Sequence, residues 1–115
     1  MVQTPTTTNQ WVTVCNVTDI EPNTGVCALI NNEQVAIFRI GETEEIYAIG
    51  NYDPFSKAYV LSRGIIGDRN GILKVASPIY KQNFNLKTGE CLDDESVSVP
   101  SYTVKIVDGS IQVSY

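Results

Sequence analysis

Histidine is missing from all 115 residues. Its absence removes imidazole acid–base catalysis, histidine-based triads and histidine-ligated zinc or haem together. Cysteine is scarce: Cys15, Cys27 and Cys91 form an odd set with no C-x-x-C pair. That set argues against a disulfide framework or a zinc knuckle and for three small buried hydrophobes. No run approaches the roughly 20 consecutive apolar residues that cross a bilayer, and the opening MVQTPTTTNQ has neither the basic nor the apolar region of a signal peptide. A cytoplasmic location is expected, away from membranes. Net positive charge is lacking as well. The formal charge is -5, and phosphate binding needs a cationic face, so nucleic acid is not an expected partner. GDRNG at residues 67 to 71 has glycines at both ends but lacks the lysine and helix of a phosphate cradle, and it reads as a turn.

What the sequence does hold is enough apolar material for a core. Hydrophobic residues make up 43% of the chain and charged ones 18%, too little charge density for disorder. One core is expected over residues 11 to 115, after a disordered, threonine-rich tail at residues 1 to 10. The charge is unevenly spread. Residues 57 to 87 carry Lys57, Arg63, Arg69, Lys74, Lys81 and Lys87 against Asp68 alone, a local charge of +5, while the remainder holds two bases against 12 acids. A basic middle on an acidic chain suits either a docking surface for a protein or a solvated mixed face.

Helical periodicity is scarce and short runs rich in β-branched and aromatic residues dominate. WVTVC at 11 to 15, GVCALI at 25 to 30, QVAIFRI at 34 to 40 and EIYAIG at 45 to 50 read as strands. The segments NNE and GETE between the last three are compact turns of the kind that join antiparallel neighbours. After Asn51 the pattern loses its period of 2. Residues 52 to 71 read as a structured loop with a helical turn near Ser56 to Leu61. ILKVASPIY and FNLKTGEC resume strand character, LDDESVSVPSY crosses the surface, and YTVKIVDGSIQVSY is a hairpin turning on Asp108 and Gly109, a pair suited to a type I′ turn. The fold class is all-β, a sandwich or barrel of antiparallel strands.

Two loops carry more specific information. DPF at 53 to 55 follows a YAI strand, and SPIY at 77 to 80 precedes FNLKTGEC. With LSRG between them and PSYTVKIVDGSIQV at the end, the order resembles a Rieske-type iron–sulfur domain. In that family the first loop holds a C-x-H pair and the second C-x-x-H, which together ligate a [2Fe–2S] centre. The resemblance puts Asp53 and Ser77 at the cysteine positions and Phe55 and Tyr80 at the histidine positions. Phenylalanine has no donor, and serine and tyrosine are poor substitutes for a thiolate or an imidazole. No cluster or other cofactor is expected on this chain.

The longer stretches DPFSKAYVLSRGIIGDRNG and KVASPIYKQNFNLKTGECLDDESVSVPSY resemble, more narrowly, the small-subunit family of the NAD(P)H-dependent assimilatory nitrite reductases. That resemblance implies an accessory subunit without catalytic residues of its own. It implies a large catalytic partner carrying FAD, an iron–sulfur cluster and sirohaem, and the reduction of nitrite to ammonium. The alternative is a free-standing interaction module of another redox enzyme. By analogy with clustered relatives, whose loop tips meet their electron partners, Lys57, Arg63, Arg69, Lys74 and Lys81 are expected to help form the partner face. Phe55, Ile79 and Tyr80 are expected to fill the vacated cluster volume, since an empty apolar void forfeits contacts, or else to lie towards solvent.

Overall fold

The computed structural model describes residues 10 to 115. The four apolar runs become strands β1 (Trp11–Asn16), β2 (Thr24–Ile30), β3 (Glu33–Ile40) and β4 (Glu45–Gly50), each within one residue of its expected bounds. Strands β2, β3 and β4 pair antiparallel in chain order because their links are tight. Asn31 and Asn32 turn the first link with φ of +51° and +66°, a left-handed conformation that asparagine tolerates.

β3 contains an apolar run without polar alternation, Val35-Ala36-Ile37-Phe38, and all four residues are fully buried. Successive side chains of a strand point to opposite faces, so such a run needs cover on both sides. Val35 and Ile37 pack with Val17, Ile20, Ile46, Ile111 and Val113. Ala36 and Phe38 pack on the other face with Ile49, Leu61, Val75, Phe84 and Leu86. Three antiparallel layers result, with the β2–β4 sheet in the middle.

One outer layer joins β1 to the hairpin of β11 (Val104–Val107) and β12 (Ser110–Ser114), in the order β1-β12-β11. Asp108 and Gly109 turn it with φ of +51° and +81°, as their sequence pair requires. Gln10 exchanges backbone hydrogen bonds with Tyr115 at 3.2 and 3.0 Å, so the ladder begins one residue before the expected boundary. The rest of the expected tail lies outside the described residues.

The other outer layer is β7 (Ile65–Arg69), β8 (Ile72–Ala76) and β9 (Asn83–Asn85). Here the expectation of a loop over 52 to 71 is corrected. The segment forms a short ribbon of β5 (Tyr52–Asp53) and β6 (Ala58–Tyr59), a 3-10 turn at Leu61–Arg63, and then β7. β7 hides from a period-2 search because it is an edge strand, with Ile65 exposed. Its hairpin turns on Asn70 and Gly71, φ +53° and +86°, the same turn chemistry as Asp108-Gly109. A last short strand, β10 (Ser101–Tyr102), pairs with β4. No helix among the described residues is long and apolar enough to cross a membrane.

Candidate functional site

The two proline loops join β5 to β6 and β8 to β9, and they share one build. In the first, Asp53 Oδ1 accepts the Phe55 N–H at 2.9 Å and the Asp53 carbonyl accepts the Lys57 N–H at 2.7 Å. In the second, Ser77 Oγ accepts the Ile79 N–H at 3.3 Å and the Ser77 carbonyl accepts the Lys81 N–H at 3.1 Å. A proline follows each anchor and presets φ. Each loop ends on a lysine in the left-handed region, Lys57 at φ +58° and Lys81 at +68°. The common pattern, Asp or Ser, then Pro, an apolar residue, any residue and Lys, recurs after 24 residues, the spacing of the two anchors.

The anchors also bind each other. Ser77 Oγ donates to Asp53 Oδ2 at 2.5 Å, and Ser56 Oγ donates to the same oxygen at 2.8 Å. Asp53 and Ser77 are both closed off from solvent. Burial pushes the Asp53 carboxyl up. The hydrogen bonds from Ser77, Ser56 and the Phe55 and Ser56 amides outweigh it and hold the group below its ordinary value. A carboxylate with both oxygens engaged thus clamps two loops that a metal centre would otherwise tie together.

This donor set does not fit a [2Fe–2S] cluster. The Asp53 oxygens are committed to internal donors, the Ser77 hydroxyl proton is spent on Asp53, Phe55 offers no donor atom, and Tyr80 is 60% exposed. No group of three or more His, Cys, Asp or Glu side chains with metal-binding placement occurs among the described residues.

Of the three side chains expected to fill the vacated volume, only Phe55 packs inward. Phe55 is half-buried against the second core, its ring 6.2 Å from that of Phe84. Ile79 and Tyr80 do not: both stand exposed on the second loop, and the polar Asp53–Ser77 contact joins the two loops instead. The cysteines also need a correction. Cys91 is buried as expected and Cys15 is half-buried, but Cys27 is exposed on β2. Burial still raises both the Cys15 and Cys27 thiol pKa values, that of Cys15 with help from the Asp19 charge, so neither is an activated thiolate.

One polar anchor escaped the sequence reading. Asn51 is 2% exposed at the foot of the first loop. Its Oδ1 accepts the buried Ser62 N–H at 2.7 Å and its Nδ2 donates to Gln34 Oε1 at 3.0 Å, tying the loop to β3 and to the 3-10 turn. The only hint in the sequence is an asparagine directly after an apolar strand.

The basic residues divide into two kinds. Lys57, Arg63 and Lys81 are exposed and have no ion-pair partner among the described residues. Arg69 pairs with Asp93 at 3.2 Å, and Lys74 donates to Asn83 Oδ1 at 2.7 Å. The clamp joins the loops that carry Lys57 and Lys81.

Comparison with known proteins gives a consistent picture. Residues 10–114 match the family model of the Rieske-like [2Fe-2S] domain. The nitrite reductase (NADH) small subunit of Escherichia coli (strain K12) is 49% identical over 105 residues, spanning 91% of this chain and 97% of that protein. A nitrite reductase [NAD(P)H] large subunit from Klebsiella oxytoca is 37% identical over 103 residues, spanning 90% of this chain and 11% of that one. The solution structure of a nitrite reductase [NAD(P)H] small subunit from Erwinia carotovora superposes with a TM-score of 0.80 at 48% identity, covering 91% of this chain and 81% of that one.

Proposed function

Because the chain belongs to the Rieske-like [2Fe-2S] domain family and, within it, to the small subunits of NAD(P)H nitrite reductase, we propose that its contribution to that enzyme is structural. It is a subunit of an oxidoreductase whose partner is the large catalytic subunit. On this reading the reaction runs from nitrite to ammonium, with FAD, an iron–sulfur cluster and sirohaem on the large subunit and no cofactor on this chain, in the cytoplasm. Residues 11 to 115 act as one folding unit.

The observation that carries the reading is the clamp. Asp53 and Ser77 stand where the resemblance puts cysteine ligands, and the Ser77 hydroxyl donates directly to the Asp53 carboxylate. This bond ties the two loops together without calling on a redox centre, which suits a docking element and not an electron carrier. The Klebsiella large subunit supports the choice of partner, since a comparable domain forms part of that chain. Fusion supplies a high effective concentration, whereas a separate subunit has to supply affinity from its own surface.

Lys57, Arg63, Arg69, Lys74 and Lys81 are the candidate contacts, and the loop lysines are the leading ones. A side chain in the left-handed region costs about 1 kcal/mol relative to glycine. Lys57 and Lys81 both bear that cost at exposed loop ends where glycine would fold more easily. Strain of this kind at a surface points to use of the side chain itself. Charge there would mainly steer and orient association.

The test is NAD(P)H-driven nitrite loss by the purified large subunit with and without this chain, combined with gel filtration and with iron and sulfide analysis. Co-elution with raised or prolonged activity, and no iron on the small chain, is the expected result. Absence of both binding and effect would transfer the proposal to a free-standing module, and stoichiometric iron and sulfide would overturn the structural role.

A further inference from the structure

Beside the first loop lies a cleft of about 270 Å³. Its lining includes three tyrosines, Tyr52, Tyr59 and Tyr102, together with Pro54, Pro100 and Glu33, and no lysine or arginine. The Tyr52 and Tyr59 rings, paired across β5 and β6, meet with centroids 5.0 Å apart and planes tilted by 58°, an aromatic corner on the wall of the cleft. Tyr52 and Tyr59 are 39% and 55% exposed, so the corner is open to a visitor. Glu33 lines the cleft with Tyr102, whose phenol pKa is raised by burial and then by the Glu33 charge.

Ring faces present negative potential, a nearby carboxylate adds a full negative charge, and no built-in cation neutralises either. Such a corner recognises a cation. Among side chains the guanidinium suits it best, because it is planar, stacks on aromatic faces, is weakly hydrated and can donate two parallel hydrogen bonds to a carboxylate. The walls are too exposed to enclose a small ligand, which usually buries most of its surface. They suit a side chain that projects from a larger surface. Pro54 belongs to both the cleft and the clamped loop, so the cleft adjoins the Lys57 end of the proposed docking face.

We propose that this cleft seats an arginine side chain of the large subunit, as a negative socket next to the positive loop tips. The inference rests on the partner assignment above and extends it to a specific contact. Alternating signs across one face would fix the register of docking, since a misplaced pairing sets like charges together.

The experiment is titration of the large subunit with this chain and its variants by calorimetry, with the melting temperature of each variant checked first. Tyr52→Leu and Tyr59→Leu keep apolar bulk but lose the ring, and each is expected to weaken binding about tenfold. Tyr52→Phe and Tyr59→Phe keep the ring and should bind within about threefold of wild type. Glu33→Lys, at an exposed position that does not burden folding, should weaken binding by about thirtyfold or more. If wild type binds and the leucine and Glu33→Lys variants bind equally well, the socket is overturned and the partner assignment stands. If wild type itself does not bind, both fall.

Discussion

Replacement of Asp53 by alanine removes the acceptor that holds the two loops together. The carboxylate accepts from the Phe55 N–H at 2.9 Å, the Ser56 hydroxyl at 2.8 Å and the Ser77 hydroxyl at 2.5 Å. Hydrogen bonds to a charged group contribute roughly 1.5–3 kcal/mol each, and burial of the charge takes back several kcal/mol. A net loss of about 2–4 kcal/mol follows, which for a domain of this size lowers Tm by about 8–16 °C. Asp53→Asn should cost less, about 1 kcal/mol, because its carbonyl still accepts one bond and the serine hydroxyls can turn to accept from its amide. Ser77→Ala in both backgrounds completes a double-mutant cycle, with an expected coupling of about 1–3 kcal/mol. The assay is urea and thermal unfolding followed by circular dichroism. The effect also has a pH signature. The folded Asp53 carboxyl sits below its ordinary value of 3.8, so the unfolded chain holds that proton more tightly than the native state. The clamp therefore contributes in full above that value and is lost as pH falls through the lower, folded pKa. The Tm gap between wild type and Asp53→Ala should narrow below about pH 4. A gap under about 3 °C at pH 7, or one that widens in acid, would refute the clamp.

Five further variants test the rest of the structure. Phe55→Ala should cost about 2 kcal/mol, around half of a fully buried phenylalanine, whereas Tyr80→Ala at its exposed loop tip should leave Tm unchanged, both read by thermal melts. Asn51→Ala removes the acceptor of the buried Ser62 N–H and one of the two donors to Gln34 Oε1, and should cost about 2–3 kcal/mol in urea unfolding. Lys57→Gly with Lys81→Gly should hold or raise Tm while slowing association with the large subunit, and the slowing should fade at high salt when followed by stopped flow. Gly89→Ala should prevent folding, seen as loss of dispersed amide signals. A Cβ there would lie 2.0 Å from the Val99 carbonyl oxygen, at a φ of +81° that alanine resists.

Much of this protein is determined by its sequence, wherever the cause is local. The unbroken run Val35 to Phe38 demands cover on both faces of one strand. Asp108-Gly109 and Asn31-Asn32 carry their own turn chemistry, and Phe55 has no donor atom whatever fold surrounds it. The stretches around DPF and SPIY, with LSRG between them and PSYTVKIVDGSIQV after them, carry the resemblance to the family. Sequence reading failed where an edge strand is only half-covered, as at Ile65, since exposure removes the alternation that marks a strand. It also failed at Asn51, where one polar residue looks the same whether it faces water or anchors a buried network. The clamp and the tyrosine socket belong to the tertiary structure alone. Asp53 and Ser77 are 24 residues apart, and Glu33, Tyr59 and Tyr102 come from different strands. These side chains meet only because two cores pack on opposite faces of the central sheet and bring its strand ends and loops together. A contact between remote residues depends on that packing, and no local pattern of residue types encodes it.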